Sequence, residues 1–123
     1  HRYYGDKSLH RQSHGESFLS LLEHRLRGNG LYIFDEPEAA LSPSRQMYML
    51  CRIKQLVESG SQFIVSTHSP IVMAYPSADI YEIADNGLQL TELEQTPHYL
   101  LMKRFCLDHE GMLRQLGFDI RKP

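Results

Sequence analysis

The sequence predicts an α/β domain, and three observations carry that prediction. Leu31-Tyr32-Ile33-Phe34 and Gln62 to Thr67 are short apolar runs without polar alternation, the pattern of strands buried on both faces of a parallel sheet. A segment of helical period separates them, and strand, helix, strand within about forty residues is a βαβ unit with a right-handed crossover. Both runs stop abruptly in polar residues, Asp35-Glu36-Pro37 and Ser66-Thr67-His68.

Each element has a local reason. From Glu16 to Arg27, Phe18, Leu21, Leu22 and Leu26 recur at helical spacing, and Gly28-Asn29-Gly30 supplies a stop whose residues tolerate positive φ. Residues His1 to Ser13 have no clear period and are expected to form a loop. Ser42-Pro43 makes a helix entrance, Ser as N-cap and Pro in the first turn, with Met47, Leu50, Ile53, Leu56 and Val57 as the expected buried face and Gly60 as the stop. A short helical turn follows Ser69-Pro70. Ile80 to Ile83 and Leu88 to Leu93 flank Asp85-Asn86-Gly87, which predicts a β-hairpin. Pro97 to about Leu116 reads as a helical tail with a break expected at Gly111.

Composition bounds the function. At 123 residues the chain is sized for one domain, and 41% hydrophobic with 23% charged residues excludes disorder. Thirteen Lys and Arg against fifteen Asp and Glu give a net charge of -2, which does not support a dedicated DNA binder. Two cysteines, Cys51 and Cys106, suggest neither a disulfide framework nor a zinc site, so a cytoplasmic location is expected. The longest apolar run, Ile71 to Tyr75, is far short of the ~20 residues of a membrane helix, and no signal-peptide pattern occurs at the N-terminus. Because the chain begins at His1 rather than Met, it is expected to belong to a longer parent.

The chemistry is expected where the parallel strands end, since ligands of open α/β sheets bind beyond the carboxyl ends of the strands. Asp35 and Glu36 after one strand and Ser66, Thr67 and His68 after the other would share that edge. An ionised Asp can hold a hydrated Mg²⁺, while the adjacent Glu orients or deprotonates a water and His68 hydrogen-bonds a phosphate oxygen or that water. Taken singly, each residue is as well explained as a turn former, a cap or a hydrogen-bonded loop residue; joint placement favours the site.

The run LYIFDEPEAALS resembles the Walker B strand and D-loop of ABC-type ATPases, FIVSTHS resembles their switch-histidine strand, and SHGES stands where their signature motif precedes a helix. The resemblance spans about Gln12 to Pro76 and is greatest to the stand-alone, non-transporter members, including SMC-like, RecF-like and small AAA-annotated ATPases. It implies a partial P-loop NTPase fold of ABC type, with the hairpin and helical tail beyond it. By resemblance Asp35 organises Mg²⁺ through water, Glu36 is the catalytic carboxylate, His68 contacts the γ-phosphate or the lytic water, and Ser13 and Gly15 belong to a signature that closes over ATP held by the other subunit of a dimer. His14 replaces the usual first glycine of the signature, Glu16 takes its last position, and Ser42 stands where the D-loop commonly has Asp.

No Gly-rich phosphate loop is present; Gly5-Asp6-Lys7-Ser8 lacks the preceding glycine and the Gly-Lys step. Phosphoryl transfer depends on the positioning and charge that such a loop supplies. The expectation is therefore the C-terminal half of an ATPase domain, inactive alone and completed by an upstream half and a dimer partner. Two other classes compete: a non-catalytic interaction module retaining the fold, and a metal-dependent nuclease using Asp35, Glu36 and His68. The latter lacks further carboxylates at an obvious two-metal spacing. His10 and His14 share i, i+4 spacing but have no third zinc ligand.

Overall fold

The computed structural model describes residues 11–121, with side chains from Gly15 onward. The chain divides into two compact units after Pro76. In the first, helix α1 (Arg11–His24) leads to strand β1 (Leu31–Asp35), a 3₁₀ turn (Pro37–Ala40), helix α2 (Pro43–Glu58), strand β2 (Gln62–Ser66) and the short helix α3 (Pro70–Met73). The second contains strands β3 (Ile80–Ala84) and β4 (Gly87–Thr91), a 3₁₀ turn (Leu93–Gln95) and helix α4 (Pro97–Gln115).

β1 and β2 pair in parallel, Leu31 opposite Gln62 through Asp35 opposite Ser66, which confirms the βαβ reading. The ladder is extended at both ends, by Gln62 N–H to the Gly30 carbonyl (2.8 Å) and by Glu36 N–H to the Ser66 carbonyl (2.7 Å). Its start is anchored by buried Ser61, whose hydroxyl donates to the Arg27 carbonyl (2.9 Å) and accepts from Gly30 N–H (3.1 Å). In the expected stop, Asn29 takes the left-handed conformation at φ 63°, which Asn tolerates better than most residues.

One expectation fails on the sheet. Both strands alternate exposed and half-buried residues instead of being buried on both faces. Tyr32, Phe34, Phe63 and Val65 share the inner face, where Phe34, Phe63 and Val65 pack on a core of Leu19, Leu22, Leu41, Met49, Ile53, Leu56 and Val72. Phe18 of α1 meets Phe34 edge-on at 5.2 Å. On the outer face, Leu31, Ile33 and Ile64 remain 59%, 69% and 52% exposed; among the described residues of this unit, one layer of helices covers the pair of strands.

The helices also depart from expectation in detail. α1 begins at Arg11 rather than Glu16, so Ser13 and Gly15 lie inside it. Its last carbonyls are capped from α2, where Arg52 Nε donates to Leu22 (2.9 Å) and Nη2 to Glu23 (3.2 Å). α2 has the expected entrance, Ser42 Oγ accepting from Arg45 N–H (3.3 Å) with Pro43 in the first turn. Its buried residues are Gln46, Met49, Ile53 and Leu56, whereas Met47 and Val57 are exposed. The face is rotated because Gln46 can enter the core fully bonded: Nε2 donates to the Leu41 carbonyl (3.1 Å) and Oε1 accepts from Ser69 Oγ (2.5 Å).

In the second unit the hairpin is antiparallel, with Ala84 opposite Gly87. The turn is Asp85-Asn86, and the positive φ falls on Gly87 at 117°. Thr96 caps α4 by accepting from Tyr99 N–H (3.3 Å). The break in α4 lies at Asp108 (φ -156°, ψ 60°) instead of Gly111; Asp108 Oδ1 accepts from Gly111 N–H (3.0 Å) and so caps the second segment. Among the described residues no helix is long and apolar enough to cross a membrane.

Candidate functional site

The parallel register brings the two polar strand ends together. Asp35 faces Ser66 and accepts from its hydroxyl at 2.5 Å. One residue on, Glu36 is left-handed (φ 50°, ψ 57°) while its N–H remains on the Ser66 carbonyl. Pro37 explains part of this, because the residue before proline is disfavoured in the right-handed helical region. The left-handed conformation turns the chain into the 3₁₀ turn at once. An L-residue pays about 1–2 kcal/mol for that conformation, and such outliers concentrate at functional sites.

Glu36 does not use its side chain to cap the 3₁₀ turn. Its Oε2 lies 3.1 Å from His68 Nδ1, and both side chains are open to solvent, 45% and 62% exposed. The segment carrying His68 is held on three sides. Glu38 Oε2 accepts from His68 N–H (3.2 Å), Thr67 Oγ1 accepts from Ser69 N–H (3.0 Å), and Ser69 Oγ caps α3 by accepting from Ile71 N–H (3.1 Å) and Val72 N–H (3.2 Å). Through its donation to Gln46, Ser69 also ties this segment to α2.

Of the five residues singled out from the sequence, Asp35, Glu36 and His68 gather at one edge. Gly15 is buried in α1 against the 3₁₀ turn, where an added Cβ would collide with the Ala40 carbonyl oxygen. Ser13 lies in the first turn of α1, and its side chain, like that of His14, is outside the described residues. Gly5-Asp6-Lys7-Ser8 and His10 are outside them altogether. Sequence reasoning passed over Glu38 and the Gln46–Ser69 pair. A second acid two positions after Glu36 was a usable signal, as was a glutamine in register with Met49, Ile53 and Leu56.

The donor set fits a water-mediated cation better than a protein cage. Among the described residues no three His, Cys, Asp or Glu side chains converge to hold a metal, whereas Mg²⁺ commonly takes one or two carboxylates and completes its shell with water and phosphate oxygens. A separate surface depression between α1 and α2, with Glu23, Arg45 and Tyr48 in its lining, shares no residue with this edge. There the Tyr48 hydroxyl donates to Glu23, a bond that raises the phenol above its ordinary pKa, with burial adding to the shift.

The family model for the AAA ATPase domain matches residues 16–73, just under half of the chain. That stretch contains both parallel strands, Asp35, Glu36 and His68; Ser13 and Gly15 precede it. No solved structure matches the chain.

Proposed function

We propose that residues 16–73, the stretch matched by the family model for the AAA ATPase domain, supply the water-activating half of a composite ATP site in a non-transporter ATPase of ABC type. The observation that carries this reading is the approach of Glu36 Oε2 to His68 Nδ1, 3.1 Å, at the carboxyl ends of two parallel strands. A carboxylate and an imidazole that meet in solvent can share one guest. Glu36 orients the attacking water and takes its proton, the general-base role that needs a heavy-atom approach of about 3 Å. With Nδ1 turned to Glu36, His68 keeps Nε2, on the opposite side of the ring, to accept from the lytic water. Asp35, held by Ser66, receives a hydrated Mg²⁺. When bound, that ion neutralises charge on the phosphates.

The rest of the site comes from elsewhere. An upstream half-domain carries the phosphate loop, and Ser13 and Gly15 of a dimer partner close over the nucleotide. The uncovered outer sheet face supports the first of these: Leu31, Ile33 and Ile64 form an exposed apolar row on a strand pair of the kind that parallel sheets bury on both sides. In the intact parent, Glu36→Gln is expected to keep MgATP bound and to accumulate as a dimer, read by sedimentation; monomers only at saturating MgATP would refute the mechanism. The chain alone is expected to turn over ATP negligibly. Robust Mg²⁺-dependent turnover abolished by Glu36→Gln would show that the phosphate-binding groups lie within it.

A further inference from the structure

Glu38 is not an ordinary surface acid. One carboxylate oxygen, Oε2, accepts from the His68 backbone N–H at 3.2 Å, and the other, Oε1, is shut off from solvent with no hydrogen-bond partner among the described residues. A buried polar atom left unpaired is uncommon and calls for a reason. The reason lies in what the side chain spans. Glu38 sits in the 3₁₀ turn that follows Glu36, while His68 lies two residues beyond the end of β2. Beyond the last ladder bond, from Glu36 N–H to Ser66 carbonyl, the two chains separate, and the Glu38 carboxylate spans the gap. His68 is then held twice from one turn, at its backbone by Glu38 and at its ring by Glu36.

We propose that Glu38, by accepting from the His68 backbone N–H, is the positioning residue that aims the His68 imidazole at Glu36. The proposal deepens the ATPase reading and rests on it for its catalytic meaning, but the contact itself can be tested without nucleotide. An exposed His–Glu pair is worth little alone, so the ring needs its backbone fixed if it is to stay beside Glu36. A hydrogen bond to an acceptor oxygen held at that reach supplies the fixation. A neutral imidazole beside a carboxylate keeps its proton on the facing nitrogen, which makes the ring's tautomer a report on its aim.

The test compares Glu38→Asp, which keeps the charge but shortens the reach, with Glu38→Gln, which keeps an acceptor oxygen at the same reach. Both are made in the full chain and read by NMR at one common alkaline pH. Two quantities are followed: hydrogen exchange of the His68 amide, and the imidazole ¹⁵N shifts that report the Nδ1–H tautomer. Glu38→Asp is expected to speed His68 exchange about tenfold, the size expected for losing one such bond, and to shift the ring toward Nε2–H, with the amides of Met49 and Ile53 unchanged. Glu38→Gln is expected to retain the wild-type values. Wild-type behaviour of Glu38→Asp would overturn the proposal, as would a Glu38→Gln that behaves like Glu38→Asp. A Glu38→Asp chain that no longer folds beside a native Glu38→Gln would assign Glu38 a structural role instead and overturn it too. Failure of the parent to bind ATP would refute the ATPase reading and leave these NMR values where they are.

Discussion

The left-handed Glu36 yields a stability prediction with an unusual sign. Glu36→Ala and Glu36→Gly both remove the carboxylate and its exposed contact with His68, a loss common to the two that is worth at most about 1 kcal/mol. They differ in the backbone. At φ 50°, ψ 57° alanine retains the strain, about 1–2 kcal/mol, and glycine does not. Against this, glycine adds freedom to the unfolded chain that costs about 0.4–1 kcal/mol. From the middle of each range, glycine is left ahead of alanine by about 0.8 kcal/mol, the reverse of the usual order at an ordinary position. Paired urea titrations give the difference directly, and in a thermal melt it corresponds to roughly 2–8 °C for a unit of this size. Equal stability, or an alanine variant more stable than the glycine one, would refute the claim that the site stores backbone strain.

Gly15→Ala forces a Cβ against the Ala40 carbonyl oxygen and is expected to destabilise the chain by about 1–3 kcal/mol, as overpacking does; an unchanged urea midpoint would show that α1 and the 3₁₀ turn do not meet so closely. In a spectrophotometric alkaline titration Tyr48 is expected to ionise above pH 10, because its hydroxyl donates to Glu23. The folded state then holds this proton more tightly than the unfolded one, so its contribution to stability is present below pH 10 and is lost as pH rises through the folded value. Glu23→Gln should bring the Tyr48 titration back toward the ordinary range; an unmoved curve would remove Glu23 as the cause.

The βαβ core and the clustering at the strand ends were legible because they rest on short-range signals. Leu31-Tyr32-Ile33-Phe34 and Phe63-Ile64-Val65 are strand-forming runs, Ser42-Pro43 starts a helix by local chemistry, and a parallel register places Asp35 and Ser66 side by side without further information. What escaped depends on partners distant in sequence. The α2 face was misassigned because Gln46 reads as a surface residue until Ser69 and the Leu41 carbonyl are known to satisfy it. The doubly buried strands were half right: the apolar run says that Ile33 and Ile64 suit burial, but not whether a layer is present to bury them. Glu36's backbone carries no pattern at all, since the left-handed turn follows from Pro37 and the ladder bond to Ser66 acting together. The helix break is the exception: propensity points to Gly111, and a local aspartate cap at Asp108, not a distant partner, sets it three residues earlier.

The amide of Gln46 works as a rivet. It is clamped to the Leu41 carbonyl on one side and to Ser69 on the other, inside a buried seam. Ser69 follows His68 directly, so a guest that tugs the imidazole also tugs the rivet. Letting go would strand two buried polar groups at about 1–3 kcal/mol each. The tie therefore holds the first turns of the 16-residue α2 to the segment that carries His68.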